Sequence, residues 1–350
     1  MSTQTDRPRI VDQGEPAPLP EPRGDASAAL MKALSQPGGH LPDLPEPTDD
    51  PLTGEDAALA LYLCYELHYR GLEGVDDAWE WDPGLLAHRQ RLETAFEDRL
   101  RDEVGRLPAG FDLAEELWAL AAGAESPDAL SARMAREGTW SDLCEISVHR
   151  SAYQRKEADP HTWGIPRLAG EPKARLVAIQ SDEYGEGITE EMHAGLFGLS
   201  MQGMGLDPTY GAYLDHIPGV TLSTVNLISF FGLHRRWRGA LIGHLAGFEM
   251  ASVAPMRNYA TALRRLGCDD WTCLFYDTHV VADAEHQYVA VELAESLVTQ
   301  TPAMKADVLF GASALSAVEG MMSSHLTDCF GAGRTSLRLP LDLPPAPADR

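Results

Sequence analysis

The 350-residue sequence is short of positive charge. It carries 28 Lys and Arg against 53 Asp and Glu, a net charge of -25. A surface this acidic lacks the basic footprint that nucleic acid or an anionic membrane needs, so neither is expected as a partner. No apolar run approaches the ~18 residues of a membrane span, so no membrane span is expected. The first residues, MSTQTDRPRIVDQGEP, have no apolar core of the kind a secretory signal needs. Only 5 cysteines occur, at 64, 144, 268, 273 and 329, and no CxxC pair is among them. That excludes a zinc knuckle and a disulfide framework, and it fits reduced thiols in the cytoplasm. No GxGxxG follows a strand, so no nucleotide cofactor is indicated.

What the chain does have is helical patterning. Hydrophobic residues make up 44% of it, enough for a sizeable core. Residues 1–52 are Pro-rich and acidic, and read as a disordered arm with at most a short helix at ALMKALSQ. Residues 331–350 read as a disordered tail. Between them, 53–330 reads as one all-α domain. Thr53 to Asp56 resembles a capping box opening a helix that Gly71 closes. Asp82-Pro83 caps the next, and further helices fit 112–122, 126–137, 140–157, 188–204, 222–233, 235–252, 256–266, 270–298 and 303–323. Residues 174–180 could be strand or helix.

Chemistry concentrates on a few segments. In FYDTHVVADAEHQYVAVELAESL, His279, Asp283 and His286 fall at i, i+4 and i+7, on one face of a helix. Two imidazoles and a carboxylate in that arc can face a shared metal, and a mixed N/O set suits iron or manganese, with zinc still possible. A polar stripe on a surface helix has the same spacing. Val280, Val281, Ala282, Val289, Ala290 and Leu293 around it argue for burial. His193 lies on an apolar face with Leu196 and Phe197. Glu183 can join it if the chain bends at Gly185 and Gly187. Glu249 sits in a mostly apolar stretch and needs a cation or an arginine. Glu157 ends a helix at Asp159-Pro160. Glu186, Glu190 and Glu66 are secondary candidates. Tyr153, Tyr184, Tyr288, Phe230 and Phe231 could line a cavity or simply be core. His244 is read as structural, and the run from His234 to Arg238 as a solvated helix end.

The series Glu157, Glu183, His193, Glu249, His279, Asp283, His286 resembles the haem-oxygenase-like diiron oxidases and oxygenases, over roughly 140–300. Within that family the order and intervals are most similar to the iron domain of a nitrosourea-forming N-oxygenase. No counterpart of the long C-terminal extension that carries a cupin domain there is expected here. The resemblance implies a haem-oxygenase-like helical bundle holding two Fe ions, ferrous before oxygen binds. Glu157, His193 and His286 would hold one iron, and Glu249, His279 and Asp283 the other, with Glu183 as an additional ligand. It further implies a small-molecule substrate, dioxygen and an external electron donor, a reductase or ferredoxin. Homodimerisation is left open. The expected activity is N-oxygenation of a small amine or amino-acid-like compound in specialised metabolism. Desaturation or C–C fragmentation of a fatty acid or amino acid is the alternative, and a non-enzymatic metal-binding or interaction module is the reading from a different class.

Overall fold

The helix Gly219–Leu233 is apolar on all sides, and nearly all of its residues are buried. An all-round apolar helix has no solvent face to offer, so it becomes the axis about which amphipathic helices pack. Its polar groups are spent locally: Asn226 Nδ2 donates to Ala58 O at 2.9 Å, and the Ser229 hydroxyl bonds to Tyr69. This computed structural model describes residues 14–39 and 41–347. Among them there is no strand, only an isolated parallel bridge between Ala17 and Leu72. The fold is all-α and single-domain, as expected.

In chain order the helices are α1 (Asp25–Leu34), α2 (Glu55–Glu66), α3 (Pro83–Val104), α4 (Leu113–Ala121), α5 (Leu130–Glu137), α6 (Trp140–Gln154), α7 (Asp159–Thr162), α8 (Gly170–Glu183), α9 (His193–Met204), α10 (Gly219–Leu233), α11 (Arg238–Ala251), α12 (Val253–Arg265), α13 (Asp270–Gln300) and α14 (Lys305–Gly331). No described helix is long and apolar enough to cross a membrane. The central helix α10 packs on α2, while α13 is flanked by α8, α9, α11 and α12. Two glycines let α11 and α14 cross closely. A Cβ on Gly243 would meet Val308 O, and one on Gly311 would meet Ala240 O.

Several expectations are corrected. Among the described residues, 14–39 and 41–52 of the arm are not disordered. Ala17 bonds both ways with the segment around Gly71, and Leu30 and Leu34 of α1 are fully buried. Asp56 of α2 caps α1 through the Ala26 and Ser27 amides. Distant partners thus supply the burial that the arm's own composition lacks. Residues 1–13 lie outside the described residues. The same holds for the tail: Ser336 and Leu337 are buried, and Trp140 Nε1 donates to Pro344 O at 2.7 Å. Residues 348–350 lie outside the described residues. The Thr53–Asp56 capping box does not form. Gly54 is the N-cap of α2, and the carboxylate of Asp49 accepts the Asp56 and Ala57 amides instead. The segment 174–180 is helical, within α8. The Asp82 cap forms as expected, on the Leu85 amide at 2.9 Å.

Candidate metal centre

The site is assembled from the ends of helices. The chain leaves α6 at Gln154 and turns, which puts Glu157 inside. Glu183 is the last residue of α8, and His193 the first of α9. Between them the chain reverses through Gly185, whose φ of +61° favours glycine. Glu249 comes from the last turns of α11, and His279, Asp283 and His286 from the inner face of α13. All seven are buried, although five different segments carry them.

Two donor sets form. Glu157, Glu183, His193 and His279 each offer an atom within 4.8 Å of the others, as do Glu183, Glu249 and His286. Glu183 belongs to both. Asp283 adjoins the second set, its Oδ1 3.7 Å from His286 Nδ1. The structure thus groups the two helix-α13 histidines the opposite way from expectation: His279 sits with Glu157 and His193, and His286 with Glu249. Two turns of helix separate them, so each reaches a different end of the cluster.

Two of the three histidines are oriented by their outer nitrogen. His279 Nδ1 lies 2.9 Å from Phe275 O and donates to it, which turns Nε2 toward Glu157, 3.9 Å away. His286 places Nε2 3.1 Å from Asp182 and Nδ1 3.3 Å from Glu249. His193 Nδ1 faces Glu183 at 3.0 Å. Ser252 donates to Asp283 Oδ2 at 2.5 Å, which leaves Oδ1 for the cluster. A hydrogen-bonded outer nitrogen or oxygen is what fixes a metal ligand's tautomer and aim.

A cation fits here. Glu157 Oε1 and Asp283 Oδ1 are buried without a hydrogen-bond partner, and His193 Nδ1 and His286 Nδ1 are buried facing only the carboxylates of the cluster. Buried polar atoms are normally satisfied, so two orphaned carboxylate oxygens beside two inward-facing imidazole nitrogens call for a ligand. Burial, with repulsion from Glu183, Asp283 and Glu249, raises the Glu157 carboxyl well above the usual range. Burial likewise pushes Glu249 up to about 8, despite the His286 hydrogen bond. Glu183 is buried too, but the His193 charge and hydrogen bond override that and hold it down to about 2. A positive ion relieves the crowding among these carboxylates, and the N/O donor set suits iron.

The sequence model of the iron-containing redox enzymes matches residues 144–320, just over half of the chain and all seven cluster residues. The chain belongs to the iron-containing redox enzymes. No curated protein matches it. Membership in this haem-oxygenase-like family, together with the buried His/Glu cluster, points to an iron-dependent oxidoreductase.

In this iron-containing redox enzyme three candidate carboxylates fall outside the cluster. Glu66 is fully buried but is bonded to Lys156 Nζ and to the Tyr210 hydroxyl at 2.6 Å, so its charge is already matched. Glu186 is exposed at the apex of the turn, with φ 51°, and Glu190 is half-exposed on a short 3-10 turn rather than on α9. The helix expected over 188–204 starts only at His193, which removes the register that would have aligned them. Of the proposed cavity aromatics only Tyr153 lines the metal pocket. Phe230 and Phe231 are core, Tyr288 is exposed, and Tyr184 bonds to Asp159 at 2.7 Å. His244 is structural as expected, paired with His161 at 3.2 Å, and burial holds both neutral. Asp182 and Ser252 were not anticipated. The only sequence signals for them are Asp182's place beside Glu183 and Ser252's at the end of α11, three residues after Glu249.

Proposed function

We propose that the protein is a non-haem diiron oxygenase that uses dioxygen to oxidise a small amine or amino-acid-like substrate at nitrogen. The observation that supports it best is the pair of donor sets sharing one carboxylate, Glu183. A shared carboxylate between two sets of ligands is the arrangement that holds two cations side by side. Glu157, His193 and His279 would hold one iron, and Glu249, Asp283 and His286 the other. Iron bound there supplies the electrons and the open coordination positions that dioxygen activation needs.

The chain's own residues do the rest. Asp182 and Phe275 O keep His286 and His279 in the tautomers that aim a bare nitrogen inward. Tyr153 stacks on Phe248, with ring centres 5.1 Å apart, and this apolar wall keeps water from the carboxylates. Gln180, anchored to Ala158 O and Thr162 Oγ1 at 2.8 Å, lines the same pocket and leaves its Oε1 unpartnered. That oxygen is an acceptor for a substrate N–H. In this reading a separate reductase or ferredoxin returns the electrons. Oxidation at carbon, by desaturation or C–C cleavage, is the second reading, favoured by the largely apolar chamber that adjoins the pocket.

The test is anaerobic loading with ferrous iron, followed by oxygen. About two irons per chain and stoichiometric oxygen uptake are expected. His279→Ala should bind less iron and take up less oxygen. A protein that binds no iron, or a variant indistinguishable from the parent, sinks the reading. Candidate amines supplied with labelled oxygen distinguish an N-hydroxylated product from an alkene or aldehyde.

A further inference from the structure

Beside the metal pocket lies a second cavity of about 370 Å3, between the end of α4, α5, α6, the α11–α12 junction, α13 and α14. At a water's share of liquid volume it has room for on the order of a dozen non-hydrogen atoms. The two cavities share Gln154, Phe248, Ser252 and Met256 as walls, and Ser252 is the residue bonded to Asp283. The remaining wall is largely apolar, with a few hydroxyl groups and one charged pair. Arg150 of α6 and Glu319 of α14 both line it, joined by two parallel hydrogen bonds of 2.8 and 2.6 Å. Their side chains keep 21% and 19% exposure.

An ion pair set in an apolar chamber is costly compared with well-packed apolar side chains, so its presence there asks for a reason. We propose that this chamber binds the substrate, and that Arg150 and Glu319 select a zwitterionic head group carried on an apolar chain. The proposal rests on the second reading above, oxidation at carbon, and names its substrate class: an α-amino acid with a long apolar side chain.

The argument is electrostatic. A ligand bearing only a carboxylate takes Arg150 and strands Glu319. A ligand bearing only an ammonium group takes Glu319 and strands Arg150. Either leaves a charge poorly solvated and unpaired. A zwitterion replaces both halves of the pair at once: its carboxylate meets the guanidinium fork and its ammonium meets the Glu319 carboxylate. Position follows from α6. Arg150 lies one helical turn, about 6 Å, before Gln154, and Gln154 is the wall shared with the pocket that Glu157 lines. A head at Arg150 therefore presents the far end of the chain, not its α-carbon, to the metal ligands.

The test is calorimetric titration of the purified chain without added iron, using three probes of equal chain length: 2-aminooctanoate, octanoate and octylamine. The expectation is at least tenfold tighter binding of 2-aminooctanoate than of either single-charge probe. In Glu319→Gln, which keeps shape and hydrogen bonding, octanoate should equal or pass 2-aminooctanoate. In the Arg150→Met, Glu319→Leu double variant the preference should vanish. Equal binding of a single-charge probe to the parent overturns the proposal. So does absence of binding by all three, or a preference that survives in Glu319→Gln. His279→Ala separates this from the reading it rests on: a variant that loses iron yet keeps the zwitterion preference leaves the chamber standing whatever the metal chemistry proves to be.

Discussion

At the scale of single residues, the decisive atoms are the outer ones. His286 offers Nδ1 to the cluster because Asp182, half-exposed at the end of α8, occupies its Nε2. Asp182 faces solvent enough that its replacement should leave packing alone. Asp182→Asn keeps the size but removes the charge that orients and enriches the imidazole. Outer-shell changes of this kind typically cost 10–100-fold in metal affinity, and a loss in that range is expected for iron, read by chelator competition. An unchanged affinity would mean that His286 is held by its own helix rather than by Asp182. The same scale explains why the charged residue Glu66 is no ligand. It meets Lys156 and Tyr210, and Lys156 also lies 3.9 Å from the centre of the Tyr69 ring, so the pair is enclosed and satisfied.

At the scale of elements, the site depends on a turn and a crossing. Gly185 reverses the chain between Glu183 and His193, and a Cβ there would lie 2.6 Å from the Glu191 carbonyl carbon. Gly185→Ala should therefore cost about 1–3 kcal/mol, measured by urea unfolding, with iron affinity falling as the two ligands part. The crossing of α11 and α14 is tighter. Gly243→Ala forces a methyl group into the Val308 carbonyl. Overpacking of this kind costs about 1–3 kcal/mol, and since Glu249 lies on the same helix, a looser metal site should accompany it. How far these elements could be read from the sequence follows the range of the interaction that fixes them. α13 was legible almost to its ends, because its apolar and ligand positions repeat along a single helix. Its inner face runs through His279, Asp283, His286, Ala290, Leu293 and Leu297, while Val281 on the other side is exposed. Apolar neighbours in sequence thus misstated which side is buried. The turns after Gln154 and around Gly185 were legible only as glycine and proline signals. Their direction is set by partners more than 20 residues away. The grouping of His279 apart from His286 was not legible at all, since it depends on which helix ends face each turn of α13.

At the scale of the whole molecule, the first and last described segments are fastened to the bundle by polar contacts that local composition does not announce. The C-terminal segment is held by α6. Ser336 gives both its amide and its hydroxyl proton to Glu145, at 2.7 and 2.5 Å, and its oxygen lies 3.0 Å from His149 Nε2. Since that hydroxyl proton is committed to Glu145, Nε2 must carry the ring proton and Nδ1 accepts from Thr221 at 2.7 Å. This network ties α6 to α10 and to the tail, and α6 is the helix that carries Arg150 and leads into the turn with Glu157. It also sets an acid limit. Burial, with the neighbouring His325, lowers His149 from 6.5 to about 3. The unfolded chain takes up a proton below pH 6.5, whereas the folded chain does not until near pH 3. Stability from this group is therefore complete above pH 6.5 and is lost as pH falls toward 3. Two pH units below 6.5 the loss is about 2–3 kcal/mol. Other groups titrate in the same range, so the measurement is a difference. Urea unfolding at pH 7 and pH 4.5 is compared for the parent and for His149→Gln, which hydrogen-bonds but does not titrate. The variant is less stable at pH 7 but should lose about 2–3 kcal/mol less on acidification. Equal losses in the two proteins would show that His149 picks up its proton inside the fold, and that the tail is released before the bundle unfolds.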